Sequence, residues 1–517
     1  MGKLFTTSLV LLMAGLWTGT PPVAAQTKIC VVSDTHFFDP DLLINDGVAF
    51  QTYLAYDRKM LKESKAILES VFQTIEDEVP AYLFVSGDLT KDGEKTGHQK
   101  MAEYFRQLEE KGIQVLVTPG NHDINNPHAV SFDGNATTQV ESITPDEFKT
   151  IYQDFGFSQA TAVHQGSLSY VYPLDDELVL ISMDVCRYVD NVEQGSPETS
   201  GGFTPSLLEW TIEQAQLAKA AGKKVIGMMH HGLLEHYIGQ KTIMDEYVID
   251  DWENISSQLA ESGFQAVFTG HYHAQDIVMK STTNGSTIFD IETGSTVTYP
   301  CPYRVVTYEN KKLSVSGGRV TNIDYDLGSK ENFQTYARDF IEAGLPTLVK
   351  GMLMSPPYSL STENATLIEP AVTEAFVAHY AGNEGTPSET SQAIIAYLMS
   401  SGYASIGYIL NGMWDDPQPD DWTYVIDMAN NPTFVVPQQK SSDIQIVTDT
   451  SGNIAIISRT PLNNASVSVY NLLGEKFYQR MVNGDQFTIA SSSFPTGIYV
   501  VKINGDEVKT STKVVLR

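Results

Sequence analysis

Short apolar runs rich in Val, Ile, Leu and Phe recur along the first 325 residues, at 29–33, 82–86, 115–118, 178–183, 225–229, 266–269 and 288–291. Short and rich in β-formers, they read as strands. Helical periodicity separates them. Leu61, Leu68, Val71, Phe72, Ile75 and Val79 share one face of a helix that stops before Pro80, and a second helix, 206–221, starts after Thr204-Pro205 and ends at Gly222. This alternation predicts an α/β layer architecture. Residues 124–166 are polar, with Pro and Gly scattered through them, and read as an insertion. Hairpin patterning around 310–316 closes the α/β unit near residue 325.

The texture then changes twice. Phe333, Ala337, Phe340 and Ile341, then Val372, Phe376, Val377 and Tyr380, then Ile394, Tyr397, Leu398 and Met399 predict three helices, followed by a Pro- and Asp-rich stretch and a linker. From residue 442 short alternating runs separated by Gly and Asn turns predict a small β-sandwich of roughly seven strands. At the other end, Lys3, an apolar run from Leu9 to Trp17, and Val23-Ala24-Ala25 before Gln26 have the form of a secretory signal peptide. That run is too short to span a bilayer, which takes ~20 apolar residues, and no later segment reaches that length. The expected division is 1–25 signal peptide, 26–325 α/β domain, 326–441 helical appendage and linker, and 442–517 β-sandwich.

Charge narrows the function classes. There are 33 Lys+Arg against 63 Asp+Glu, a formal net charge of −30. A basic face for nucleic acid or anionic lipid is therefore not expected. From Ser441 onward bases slightly outnumber acids, so the acidity belongs to the α/β and helical regions. Bound cations can reverse such a field locally, so an anionic substrate stays open. The three cysteines, Cys30, Cys186 and Cys301, exclude a Cys₄ zinc site and leave at least one free thiol.

Five polar motifs follow predicted strands: Asp34-Thr35-His36, Gly87-Asp88, Gly120-Asn121-His122-Asp123, His230-His231 and Gly270-His271-Tyr272-His273. The carboxyl ends of strands are where ligand sites form in α/β folds. Carboxylate, imidazole and amide donors suit borderline cations such as Zn, Mn and Fe, and two such ions can clamp a phosphate and activate water. Singly, each motif has a plainer reading as a cap, turn or hydrogen-bonded pair; their order and placement together point to a metal pair.

Together these residues resemble the calcineurin-like metallophosphoesterase family over about residues 28–320. The resemblance implies a four-layer αββα sandwich and a hydrolase of phosphomonoesters or phosphodiesters acting through a metal-bridging hydroxide. It implies two divalent or trivalent ions: one held by Asp34, His36, Asp88 and His273, the other by Asp88, Asn121, His230 and His271, with Asp88 bridging. His122 would face the substrate, and Asp123 would orient it. His231 is left for substrate contact or structure; His98, His128, His164 and His236 have a solvated or hydrogen-bonded surface role as their default. Gly87–Glu94 looks like the branch that includes cyclic-nucleotide phosphodiesterases, and Lys91 stands where purple acid phosphatases carry an iron-binding Tyr. The end of the chain (467–475, 497–502 and 513–517) resembles the C-terminal sorting domain of the Bacteroidetes type IX (Por) secretion system. That implies export through the periplasm and outer membrane to the medium or cell surface, with the secretion machinery as partner; the metallophosphoesterase resemblance implies a small phosphate ester as substrate. The alternatives are a non-catalytic surface binding or adhesion protein that retains the metal site, and a nuclease.

Overall fold

The computed structural model describes residues 26–415, 419–429, 444–448, 453–471, 476–490, 494–495, 497–504 and 509–516. The signal-peptide segment 1–25, the linker 430–443 and Leu472–Glu475 of the tail motif lie outside the described residues.

Two sheets carry the α/β unit. One runs Thr423–Asp427, Lys312–Arg319, Pro302–Glu309, Thr27–Val32, Tyr82–Ser86, Gln114–Thr118; the other runs Asp276–Ser281, Thr287–Glu292, Phe264–Thr269, Lys224–Met228, Leu178–Ser182, Tyr170–Pro173, Ala162–Val163. The strands that precede the motifs pair in parallel within each sheet, so their carboxyl ends share one edge. The continuous apolar runs are explained by burial on both faces. Leu178, Leu180, Ile226 and Met228 join the core shared with the first sheet, whereas Val179, Ile181 and Val225 pack with Leu207, Ala215 and Leu259 of the helices Pro205–Ala220 and Trp252–Ser262. On the far side, Ser64–Glu78 buries Ile67, Leu68, Val71, Phe72 and Ile75. Val79 instead leaves that face: it is left-handed (φ 48°) and exposed, because Pro80 disfavours a helical residue before it. Together these layers form the αββα sandwich.

Among the described residues the helical region has four helices rather than three: Phe333–Met354, Thr362–Tyr380, Glu389–Ser400 and Ala404–Gly412. The fourth holds two glycines in nine residues, which hides it from propensity. After it, within the stretch read as linker, Thr423–Asp427 pairs antiparallel with Lys312–Arg319 as an edge strand of the first sheet. The C-terminal segment has five strands among the described residues rather than seven. The runs at 454–457 and 467–470 are one strand, Ile454–Asn471, bent by irregularities between Ile457 and Ala465.

Candidate metal centre

Loops leaving five parallel strands meet at the shared edge of the sheets. Asp34 and His36 follow Thr27–Val32, Asp88 follows Tyr82–Ser86, and Asn121 and His122 follow Gln114–Thr118. His230 follows Lys224–Met228, and His271 and His273 follow Phe264–Thr269. Asp34, His36, Asp88, His271 and His273 all have positive φ, from 36° to 76°. Such backbone costs on the order of 1–3 kcal/mol per residue and persists where surrounding structure imposes it. Two glycines permit the approach of the loops. A Cβ at Gly120 would collide with the backbone N and carboxylate of Asp88, and one at Gly270 with the Ser33 hydroxyl.

Two donor groups result, Asp34–His36–His273 and Asp88–His230–His271. In the first, His273 Nε2 lies 3.3 Å from Asp34 Oδ1 and 3.2 Å from His36 Nε2. In the second, His230 Nε2 lies 3.3 Å from Asp88 Oδ2 and 3.1 Å from Asn121 Oδ1. The same Asp88 oxygen is 3.6 Å from His36 Nε2, so it stands between the groups. The other oxygen accepts the His122 backbone N–H at 2.9 Å.

Backbone carbonyls select the ring atoms. A carbonyl only accepts, so His230 donates from Nδ1 to Ser86 O (2.8 Å) and keeps Nε2 for the site. His271 donates from Nε2 to Glu246 O (3.3 Å) and keeps Nδ1. Such outer bonds orient metal-binding imidazoles. His231 donates from Nε2 to Thr199 O (2.8 Å) and belongs to neither group, although its ring packs against that of His271 at 4.3 Å.

The donors fit a cation. Asp34 Oδ1 is buried without a hydrogen-bond partner, a state that costs about 1–3 kcal/mol for an unsatisfied group. Burial, aided by Lys59, holds His36 well below the usual histidine range, and burial with neighbouring His231 and His230 does the same to His271. Both are thus neutral, as ligation requires. Against the cost of burial, His230 and His122 hold Asp88 well below the carboxylate range. Burial likewise opposes the proton on His230, but Asp88 and Asp34 raise it to about 9; a cation between them would take that proton's place.

His122 borders the groups, its ring edge-on to His36 at 5.1 Å. Its carboxylate partner is Asp92, not Asp123: His122 Nδ1 is 2.8 Å from Asp92 Oδ1. The Asp123 carboxylate is already committed to the N–H groups of Gly120 (2.8 Å), Leu89 (3.2 Å) and Thr90 (3.1 Å), so it ties the Asp88 loop to the Asn121 loop. Burial and Lys59 act against protonation of His122, but Asp88 and Asp92 outweigh them and raise it above the ordinary range. Asp92 lies inside the stretch that marks the branch, where an acid four residues after Asp88 was a signal available to sequence reading. Two histidines expected at the surface are buried: His98 between Tyr152 Oη (2.8 Å) and Asp123 O (2.9 Å), and His236 beside Asp276 (2.9 Å). The three cysteines are unpaired.

The helical region reaches this centre through Tyr272, which sits between His271 and His273. Its hydroxyl meets Tyr237 Oη at 2.8 Å, and its ring packs on Phe376 and His379. Phe376→Ala is expected to cost about 3–4 kcal/mol, read as a lower urea midpoint with unchanged m-value.

Two adjoining O/N donor groups at the strand ends of an α/β sandwich, with the Asp88 carboxylate between them, have the form of a binuclear metallohydrolase centre. Residues 27–275 match the calcineurin-like phosphoesterase family and residues 450–517 the secretion system C-terminal sorting domain; the first match makes the chain a hydrolase acting on phosphoric ester bonds. The sorting domain marks the chain for export, and among the described residues no helix is long and apolar enough to cross a membrane. No curated protein matches the chain. Similar solved structures include a dimetal phosphatase from Danio rerio (11% identity, TM-score 0.38, covering 56% of this chain and 95% of that one). A purple acid phosphatase from yellow lupin (Lupinus luteus) seeds is similar at 11% identity and TM-score 0.35, over 57% of this chain and 52% of its own. The phosphopantetheinyl hydrolase of Mycobacterium tuberculosis is similar at 13% identity and TM-score 0.26, over 53% and 91%.

Proposed function

We propose that the chain is an exported, dimetal-dependent phosphoesterase that hydrolyses a phosphomonoester or phosphodiester. Asp34, His36, Asp88 and His273 would hold one cation, and Asp88, Asn121, His230 and His271 the other; Mn, Fe or Zn suits these oxygen and nitrogen donors. The observation that carries the reading is the single Asp88 oxygen between His36 Nε2 and His230 Nε2. When bound, the two cations would supply a Lewis-acid clamp on the phosphoryl oxygens and an activated water as nucleophile. His122 gives its Nδ1–H to Asp92, which leaves Nε2 to donate a proton to the departing oxygen and stabilise developing charge. Asn126 donates to Asp92 Oδ1 (3.4 Å) and to the His122 carbonyl (3.0 Å), bracing that pair.

The test is metal analysis of the chain loaded with Mn, Fe or Zn, together with hydrolysis of p-nitrophenyl phosphate and bis(p-nitrophenyl) phosphate. About two ions per chain and turnover of one ester are expected. A folded chain that takes up no metal and cleaves neither would overturn the reading in favour of a binding protein. Chelation is expected to abolish turnover, with recovery on metal return, and to lower Tm by roughly 5 °C or more, because a ligand held at many times its Kd stabilises the folded state by several kcal/mol.

A further inference from the structure

Beneath His122 lies a buried lysine that the chemistry above does not use. The Lys91 side chain is fully buried; its ammonium pairs with Asp92 Oδ2 and, at 3.0 Å, with Glu94 Oε1. It also lies 4.6 Å above the Tyr53 ring and 5.6 Å from that of Phe132, within the range of cation–π attraction. The Tyr53 hydroxyl donates to the same Asp92 Oδ2 at 3.0 Å. Neither aromatic belongs to the strand–helix repeat: Tyr53 is on the helix Val48–Tyr56, and Phe132 on the strand Val130–Asp133 within the polar insertion. An ammonium is buried at high cost unless paired, and this one is paired with two carboxylates and boxed by two rings.

The consequence is a division of labour on one carboxylate. Asp92 Oδ2 is taken by Lys91 and Tyr53, and Oδ1 by His122 Nδ1 at 2.8 Å. An aspartate carboxylate otherwise turns broadly about χ2. Held from behind, it keeps one oxygen facing the imidazole.

We propose that Lys91 and Tyr53 are positioning residues for His122, clamping Asp92 so that the imidazole presents Nε2 to the leaving oxygen of the ester. This rests on the phosphoesterase reading of the centre and adds a dependence on the leaving group. Esters of poor leaving groups need the proton most, so they lose most when the clamp is loosened.

Two variants test it. Tyr53→Phe removes one hydroxyl and keeps the ring beside Lys91. The double variant Lys91→Met/Glu94→Gln removes one charge of each sign from the cluster. Each is compared with the native chain on a pair of esters, mono- or di-, with a nitrophenolate or a phenolate leaving group, alongside metal analysis. Metal content and KM are expected to hold, with kcat falling about tenfold on the phenolate ester and less than about threefold on the nitrophenolate ester, a fraction of what general acid catalysis contributes. A second readout needs no turnover: the His122 imidazole N–H proton, assigned by its loss in His122→Ala, should be resolved by NMR in the native chain and broadened by exchange in both variants. Equal slowing of the two esters, unchanged kcat, or an unchanged N–H resonance overturns the proposal. If the metal-loaded native chain cleaves neither ester, the phosphoesterase reading fails and this inference with it; an active native chain with indifferent variants removes this inference alone. Should the double variant not fold, Tyr53→Phe decides.

Discussion

Asp88→Ala is expected to empty both halves of the centre at once and to lower kcat/KM by at least about a thousandfold. Its Oδ2 belongs to one donor group and stands beside the other, 3.3 Å from His230 Nε2 and 3.6 Å from His36 Nε2, where the proposed function makes it the shared ligand. Without it each cation loses a ligand, and the anion that screens one cation from the other is gone. Two dications ~4 Å apart repel by about 4 kcal/mol even in the dielectric of water, and by more in a buried site. What remains, Asp34 with His36 and His273, and Asn121 with His230 and His271, has one carboxylate for two ions. Metal analysis after gel filtration reads the first effect and steady-state kinetics the second. A variant that retains two ions per chain would remove Asp88 as the shared ligand.

His122→Ala separates chemistry from metal binding. Neither donor group includes a His122 atom, and the contact it makes to Asp88 comes from its backbone N–H, which alanine keeps. Metal content should therefore be unchanged. The side chain, about one-fifth exposed, is within reach of a ligand at the centre, and its loss is expected to lower kcat by about 10²–10⁴, the usual contribution of a positioned acid or base. The loss should be larger for an ester with a poor leaving group, because the missing proton matters most there. Full activity in this variant would refute the assigned role.

Much of the centre was legible in the chain. Each of the five motifs follows a run of apolar residues whose period and composition mark a buried strand, and the turn after such a strand is where a parallel sheet delivers side chains to one edge. Asp34, His36, Asp88, Asn121, His230, His271 and His273 converge for that reason. His122 and its partner were a different matter. Asp123 is adjacent in sequence and Asp92 is thirty residues away, yet Asp123 is consumed by three backbone donors, and Asp92 reaches the imidazole because Lys91 and Tyr53 hold it there. A hydrogen bond between loops depends on which way each side chain leaves its backbone, and no spacing rule encodes that. The edge strand Thr423–Asp427 escaped for a related reason: five residues after a Pro- and Asp-rich stretch become a strand only when Lys312–Arg319 offers an open edge.

The sequence by itself determined the α/β alternation, the strand-end motifs, the acidic character and the C-terminal segment that matches a sorting domain, because these follow from local periodicity and residue type. Tertiary structure alone decided which histidine of the 230–231 pair joins a donor group, since Ser86 O takes Nδ1 of His230 and leaves its Nε2 at the centre, whereas Thr199 O takes Nε2 of His231. It also decided that the helical region is part of the same body as the metal loops, because Tyr272 finds Tyr237, Phe376 and His379 only after distant segments have packed. Those choices rest on contacts between residues far apart in the chain, where packing and backbone hydrogen bonding, rather than local pattern, set the geometry.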